Sequence, residues 1–253
     1  MQTTISNIKN IDNNKVKFVE KNKVFTFDIE DEKIILKDKY ITKIPKEIEK
    51  MQNLQELNLS YNRIELIPKE IANLKELKEF NLSKNEVEII PKEIKKMQNL
   101  QKLCLSSNQI KKIPEEIGEL KNLEILNLYS NDIKEIPKEF ANLKKLEYLN
   151  LSANEIKEIP KEFENLNHYL QYLDLSHNKI HKVPKELRAS KLNLSNNPIS
   201  KLPSSLIDTS IIYIENTNIL HLPKKICNKW KIFENFIVSD KSYEKLCITK
   251  TKK

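Results

Sequence analysis

Proline recurs along this chain at a nearly constant spacing. From Pro45 to Pro160 the prolines stand 23 residues apart, and the series continues at Pro184, Pro203 and Pro223 with steps of 24, 19 and 20 residues. Self-similarity at such a period is typical of a repeat protein, in which each unit packs only against its neighbours. The chain is therefore predicted to form an elongated stack, and the usual estimate of one or two globular domains for 253 residues does not apply.

Each proline of the regular units ends the pattern LxxLxLxxNxIxxIP, which is complete in residues 54–68. The alternation in Leu57-Asn58-Leu59 predicts a short strand that turns both leucines inward and Asn58 outward. Beyond the strand, Asn62 is placed to bond backbone groups that the turning chain would leave unpaired. A ladder through the stack is predicted for the equivalent asparagines, Asn85, Asn108, Asn131, Asn154, Asn178 and Asn197. Lys39 and Thr217 take this place in the two end units, which have only one neighbour each.

Beyond each proline, apolar residues such as Ile71, Leu74 and Leu77 lie three apart and predict a short helical turn, with the proline at its first position. Strands lie about 4.8 Å apart and helical turns need more room, so the stack must curve with its strands inside. We predict an α/β solenoid, a horseshoe with a concave parallel β-sheet, short helical turns on the convex side and about nine repeats. The predicted strand centres are Leu36, Leu59, Leu82, Leu105, Leu128, Leu151, Leu175, Leu194 and Ile214.

Three parts are predicted along the chain. Residues 1–30 form an N-terminal cap, a β-hairpin around Lys21-Asn22-Lys23 that pairs with the first strand and covers the end of the stack. Residues 31–223 form the solenoid, and residues 224–253 form a mostly helical, basic C-terminal cap in which Trp230 is a packing residue. In the shortened units eight and nine, residues 187–192 and 206–212 are predicted to be too few for a helical turn.

The repeated pattern resembles the leucine-rich repeat, and the resemblance covers roughly residues 31–223. The 23-residue units with the extension IPKEIxxLxNL resemble those of intracellular Ras-binding scaffold proteins and of spirochaete and other bacterial proteins. Units eight and nine, with residues 201–206 reading KLPSSL, look more like the repeats of secreted bacterial effectors. The resemblance implies recognition of another protein on the concave face. It does not extend to the large ubiquitin ligase domain that follows the repeats in some effectors.

Residues with catalytic or metal-binding chemistry do not converge in the sequence. Gly118 is the one glycine, which excludes the glycine-rich loops that bring backbone close to phosphate or to a nucleophile. His177 and His181 straddle the exit of a strand and do not share a helical face, and Cys104 has no neighbouring base to form a thiolate. We therefore predict a protein that is not an enzyme, with no catalytic residues, metal, cofactor or small-molecule substrate.

The outward positions of the strands are the candidate binding surface, since packing of the core does not dictate their identity. Three consecutive units place Ile125, Tyr148 and Tyr172 at one outward position, and Tyr129 adds a fourth large side chain on the same face. Aromatic residues with a polar end bury much area while losing few rotamers, which favours them at interfaces. Isolated exposed tyrosines are ordinary on any sheet, but clustering in adjacent units favours a partner-binding site made of these four residues.

The alternative function places binding in the C-terminal tail. The chain carries 44 Lys and Arg against 36 Asp and Glu, a net charge of +8, and residues 224–253 contribute nine lysines against Glu234, Asp240 and Glu244. Such a tail fits a bacterial surface adhesin or effector that binds host components, with electrostatic attraction to anionic membranes, glycans or nucleic acid. The main hypothesis remains a monomer that binds a protein, and nucleic acid and membrane are less favoured partners.

A reduced, cytoplasmic setting is the default expectation. The three cysteines are an odd number, and residues 1–6 show neither a basic region nor an apolar stretch of a signal peptide. Secretion by another route, or delivery into a host, remains an alternative. A disulfide between Cys227 and Cys247 would form only in an oxidising compartment, and the sequence leaves this pairing open.

Overall fold

The computed structural model describes residues 14–20, 23–166, 170–185 and 187–230. Strands β1 (Lys15–Glu20) and β2 (Lys23–Asp28) form an antiparallel hairpin. Nine further strands form one parallel sheet in chain order, so each strand pairs with its neighbours in the sequence. They are β3 (Lys33–Ile35), β4 (Glu56–Asn58), β5 (Glu79–Asn81), β6 (Lys102–Cys104), β7 (Ile125–Asn127), β8 (Tyr148–Asn150), β9 (Leu170–Asp174), β10 (Ala189–Asn193) and β11 (Ile211–Tyr213). The predicted solenoid with a nine-stranded parallel sheet is confirmed.

Short 3₁₀ helices line the other side of the stack. They are Lys46–Lys50, Lys69–Asn73, Lys92–Lys96, Glu115–Glu119, Lys138–Asn142, Lys161–Asn165 and Ser204–Asp208. Each follows a proline that stands at the N-cap, one residue before the position that the sequence predicts. The reason is visible at Pro68, which has extended backbone while its carbonyl already accepts the N–H of Ile71 at 3.1 Å and closes the turn.

The strands lie about two residues earlier than predicted. In the second unit the strand is Glu56–Asn58, because the Asn58 Oδ1 accepts the backbone N–H of Ser60 at 3.1 Å and turns the chain at once. Leu59, the predicted centre, still donates its N–H to the Asn81 carbonyl at 2.8 Å. Leu57 and Leu59 are both fully buried, so the predicted inward direction of both leucines is correct.

The asparagine ladder forms as predicted and couples neighbouring units. The Nδ2 of Asn62 donates to the carbonyl of Leu36 in the preceding unit at 2.7 Å and to that of Leu59 in its own unit at 2.8 Å, while its Oδ1 accepts the N–H of Ile41 at 2.9 Å. Asn85, Asn108, Asn131, Asn154, Asn178 and Asn197 repeat this arrangement. Thr217 in the last unit reproduces one bond, from its hydroxyl to the Ile214 carbonyl at 2.9 Å.

The prediction that the ninth unit lacks a helical turn is wrong. Ser204–Asp208 is a 3₁₀ helix of five residues, as long as the helices of the regular units. The shortening falls instead between helix and strand, since only Thr209 and Ser210 separate Asp208 from β11. Thr209 is buried and its N–H bonds the Leu206 carbonyl, so it takes the place that Leu74 has after the helix Lys69–Asn73. Unit eight has no helix in its described residues before β10, as predicted.

The hairpin covers the first unit with side chains. Val16 and Phe18 are fully buried in the core of the solenoid, and the Phe18 and Phe27 rings meet edge to face at 6.0 Å. The predicted pairing with the first strand is wrong, because among the described residues the hairpin is a separate sheet and β3 is the edge strand of the long sheet. The hairpin instead packs on the helix Lys46–Lys50, which lets it bury the exposed end of the core.

At the other end, a short α-helix, α1 (Lys224–Trp230), follows the last unit. Its Ile226 is fully buried and Cys227 nearly so. Residues 231–253, with Cys247 and most of the basic tail, lie outside the described residues, as does the side chain of Trp230. The division at residues 30 and 223 and the Cys227–Cys247 pairing therefore remain predictions.

Replacing Gly118 with alanine should destabilise the fold. Gly118 lies in the helix Glu115–Glu119, and a Cβ there would lie 2.7 Å from the Cβ of Glu139 and 2.9 Å from its carbonyl carbon. The added methyl group would crowd the backbone of the next unit and force it to shift, which destabilises the folded state. Alanine also restricts the unfolded chain, which offsets part of this cost, so we expect Gly118→Ala to lower the free energy of unfolding by about 1–2 kcal/mol. Urea denaturation followed by circular dichroism measures this. A variant as stable as the parent would show that the backbone at Glu139 can move away from the added methyl group at little energetic cost.

Candidate binding surface

The concave face is built from residues that alternate with the buried leucines of the strands. Within it, we call Ile125, Tyr129, Tyr148 and Tyr172 the tyrosine patch. The register of the sheet places Ile125 beside Tyr148, and Tyr148 beside Tyr172, on neighbouring strands. The structure therefore brings these three predicted residues together in one row across β7, β8 and β9, and Tyr129 follows β7 on the same face.

Two tyrosines of the patch form a fixed pair. The rings of Tyr148 and Tyr172 stack with centroids 4.9 Å apart and planes 17° from parallel. The Tyr172 hydroxyl donates to the Asp174 Oδ2 at 2.8 Å, and the Asp174 Oδ1 accepts the N–H and the hydroxyl of Ser176 at 2.9 and 2.6 Å. Burial, and then the hydrogen bond to Asp174, raise the pKa of the Tyr172 hydroxyl, so it stays a protonated donor. The pair is held in place before any partner binds.

Tyr129 differs from its neighbours in size. It occupies an outward place where the adjacent units carry Ser106 and Ser152, and its side chain is 44% exposed. Its backbone N–H is held by the Asn127 Oδ1 at 3.1 Å. A large ring between two serines is free to be covered by a partner, because no neighbouring side chain of similar size shields it.

Charged residues border the patch along the same row. On the N-terminal side, Lys33 pairs with Glu56 at 2.6 Å and Lys102 with Glu79 at 3.6 Å. On the other side, Lys191 stands beside Tyr172 in the register. On strands β3 to β6 the row thus carries lysines and glutamates that neutralise each other. It becomes apolar and aromatic at β7, where the tyrosine patch begins.

A second row of the face consists of amides that sequence reasoning described only as polar and nearly uncharged. The Oδ1 atoms of Asn58, Asn81, Asn127 and Asn150 each accept the N–H of the residue two positions on. Their Nδ2 groups make no hydrogen bond to any described residue, and these donors are available to a bound partner. The sequence signal is an asparagine between two apolar strand residues, repeated from unit to unit, in which the amide turns the chain and keeps its NH₂ group outward.

The cysteine and histidine residues that are candidates for catalysis or metal binding do not assemble into a reactive site in the described part of the chain. Cys104 is a free thiol, 8% exposed, and burial raises its pKa, so it stays protonated. His177 makes a 3.1 Å contact between its Nε2 and the Nδ2 of Asn196. The described residues include no group of three or more His, Cys, Asp or Glu arranged to hold a metal ion. They also contain no helix that is both long and apolar enough to cross a bilayer.

One further group of side chains was missed by the sequence analysis. Tyr40, Tyr61, Lys37, Arg63 and Lys84 gather at the N-terminal edge of the concave face, with each cation over a tyrosine ring. The available signal was the large residues in the first three units at places where later units carry mostly small or amide side chains. The fold and these surfaces together define a repeat protein, a curved solenoid with a polar, partly aromatic inner face.

Comparison with known proteins identifies the family. Leucine-rich repeat family models match residues 34–108, 98–156, 122–180 and 188–209, which together exceed half of the chain. A leucine-rich repeat protein of Leptospira interrogans is 33% identical, with 78% of this chain and 64% of that protein covered and a TM-score of 0.64. No curated protein sequence matches the chain. The chain belongs to the leucine-rich repeat proteins of the bacterial type.

Two more distant structures share the fold. An internalin of Listeria monocytogenes is 21% identical, with 73% of this chain and 54% of that chain covered and a TM-score of 0.63. The ectodomain of the plant receptor kinase GASSHO1/SCHENGEN3 of Arabidopsis thaliana, solved in complex with Casparian strip integrity factor 2, is 27% identical, with 74% and 27% covered and a TM-score of 0.59. This chain spans less than two thirds of each of the three proteins. The fold is that of a general protein–protein interaction module.

Proposed function

We propose that this protein is a non-enzymatic recognition module that docks a protein partner on the tyrosine patch. The observation that carries the proposal is the stacked Tyr148–Tyr172 pair, anchored through the Tyr172 hydroxyl to Asp174. Aromatic anchors that are already held in one rotamer lose little entropy on binding, and binding energy concentrates in such residues. Ile125 and the exposed ring of Tyr129 extend the same surface, and the free amides beside it supply hydrogen-bond donors.

The structural neighbours support a protein partner. The plant receptor ectodomain was solved in complex with Casparian strip integrity factor 2, and its fold matches this chain over most of the solenoid. Clustering of large side chains in three adjacent units matches the size of a local hot spot, which is surrounded by contacts of smaller energy.

The double variant Tyr148→Ala/Tyr172→Ala should weaken partner binding by about 100-fold, because each truncation removes a central anchor of the interface. The partner is first enriched from native lysate and from host-cell lysate, at low and moderate salt, and its Kd is then measured with purified proteins by titration calorimetry. Tyr172→Phe keeps the stacked ring but loses the bond to Asp174, and we expect a smaller loss of about three- to tenfold.

The matched control is Leu66→Ala/Ile89→Ala. These side chains are 65% and 66% exposed and lie outside the strands, in the segments that lead to Pro68 and Pro91. The control removes a similar apolar area away from the concave face, so the Kd should change less than about twofold. Equal affinity of the tyrosine double variant and the parent would refute the proposal.

The alternative, an adhesin or effector that binds through the basic tail, stays a prediction because most of the tail lies outside the described residues. Salt separates the two functions. Binding carried by lysines should collapse between low and moderate ionic strength, whereas binding carried by the tyrosine patch should survive. A cytoplasmic, monomeric protein remains the default expectation.

A further inference from the structure

The N-terminal edge of the concave face carries an unusual group of side chains. We call Lys37, Tyr40, Tyr61, Arg63 and Lys84 the basic-aromatic cluster. The Lys37 and Lys84 Nζ atoms lie 4.8 and 4.5 Å from the centroid of the Tyr61 ring, and the Arg63 Cζ lies 5.3 Å from that of Tyr40. Tyr40 is 55% and Tyr61 44% exposed. The cluster draws on units one to three and is separate from the tyrosine patch of units five to seven.

The cations of this cluster lack carboxylate partners. Five lysines of the described chain pair with a glutamate of an adjacent unit, among them Lys33 with Glu56, Lys102 with Glu79 and Lys111 with Glu88. Asp38 and Glu86 lie near the cluster in the sequence, yet no ion pair joins either of them to Lys37, Arg63 or Lys84. In the cluster the cations lie over aromatic rings, which leaves most of their N–H groups free to donate hydrogen bonds to an outside anion.

The backbone conformation of three residues also sets the basic-aromatic cluster apart. Tyr40, Tyr61 and Lys84 have φ values of 59°, 60° and 57°, in the left-handed region that costs large side chains about 1 kcal/mol or more. The later units place smaller or amide side chains at the position of Tyr61 and Lys84, namely Ser107, Ser130, Ala153, Asn196 and Asn216, with His177 as the exception. Costly conformations kept by large residues at one end of the stack point to a role at that end.

We propose that the basic-aromatic cluster is a second docking surface, which binds an acidic segment of a partner protein in which carboxylates alternate with apolar side chains. The three unpaired cations supply the charge complementarity, and the exposed parts of Tyr40 and Tyr61 supply apolar contact beside them. The proposal is independent of the tyrosine patch, since the two surfaces share no residue and lie in different units.

Fluorescence anisotropy with defined probes tests this. The probes are a labelled decapeptide in which five glutamates are separated by leucine and serine, the same peptide with glutamine for glutamate, and a ten-nucleotide oligo-dT. At low salt the full chain should bind the glutamate peptide at least about tenfold more tightly than the glutamine peptide, and Lys37→Ala/Lys84→Ala should remove most of that difference. Tyr61→Asn should do the same while keeping the fold, because Asn196 and Asn216 occupy the equivalent place.

Two controls separate this site from general charge and from the tyrosine patch. Lys134→Ala/Lys157→Ala removes the same charge from exposed positions of units five and six, and it should change affinity less than about twofold. Tyr148→Ala/Tyr172→Ala should leave binding of the glutamate peptide intact. Equal binding of the two peptides, an equal loss in both lysine pairs, or tighter binding of oligo-dT than of the glutamate peptide would each overturn the proposal.

Discussion

Replacing Asn131 with alanine should lower the free energy of unfolding by about 3 kcal/mol, the largest effect that we expect from a single polar residue. Asn131 is 8% exposed, and its Nδ2 donates to the carbonyls of Leu105 and Leu128 at 3.0 and 3.1 Å. Its Oδ1 accepts the N–H of Ile110 at 3.0 Å. Alanine leaves this buried N–H with no side-chain partner and removes one of the two amide donors of each carbonyl, since Asn108 and Asn154 still donate to Leu105 and Leu128. It also opens a small cavity between units four and five.

Because Asn131 bonds two units, its loss should also uncouple them. Urea denaturation gives the change in free energy, and hydrogen exchange of the Ile110 amide gives a local signal that should rise far more than exchange in the first unit. The matched control is Asn122→Ala on the convex side, where the Nδ2 makes an exposed bond to the Gln98 carbonyl at 2.8 Å. We expect the control to cost less than about 1 kcal/mol, since water replaces an exposed bond. Equal effects of the two variants would contradict the structural role of the ladder.

The repeat explains how much of the fold could be predicted. With a period of 23 residues, aligning the units shows which positions share a face, so the ladder of Asn62 and its equivalents follows from the alignment alone. The hairpin and the ninth unit depart from the repeat. The hairpin is present as predicted, but its predicted pairing with the first strand and the predicted lack of a helical turn in the ninth unit were wrong. Nothing in the period indicates that residues 15–28 cover the core with Val16 and Phe18 and do not extend the sheet. The position of the deletion after Asp208 is likewise decided by packing, since Thr209 can replace a leucine there.

In the candidate site, too, the repeat predicts which residues are neighbours but does not predict their individual contacts. The neighbourhood of Ile125, Tyr148 and Tyr172 was predictable, because equivalent positions of adjacent units must lie one strand apart. The bond from Tyr172 to Asp174 and the cations over Tyr40 and Tyr61 depend on side-chain rotamers, which sequence spacing does not specify. These contacts decide whether a row of large residues is a loose group or a fixed surface.

Replacing Phe140 with alanine should cost about 3–4 kcal/mol of unfolding free energy. Phe140 is fully buried in the helix Lys138–Asn142 and stacks on Phe163 of the next unit, with centroids 6.4 Å apart and planes 15° from parallel. The truncation removes the ring from the convex side of two units at once. Its cavity cannot close easily, because the flanking helices are held to the strands by the leucines on either side.

Phe140→Ile is the matched control, since Ile48, Ile71, Ile94 and Ile117 occupy the same helical position in the preceding units. We expect isoleucine to cost only about 1 kcal/mol, because it keeps most of the buried volume and loses chiefly the stack on Phe163. Urea denaturation compares both variants with the parent. If Phe140→Ala cost less than about 1 kcal/mol, the convex helices would have to unfold separately from the sheet. In that event the free energy measured by denaturation would report the concave strands and the asparagine ladder alone, and the 3₁₀ helices would act as spacers that set curvature without contributing to the cooperative core.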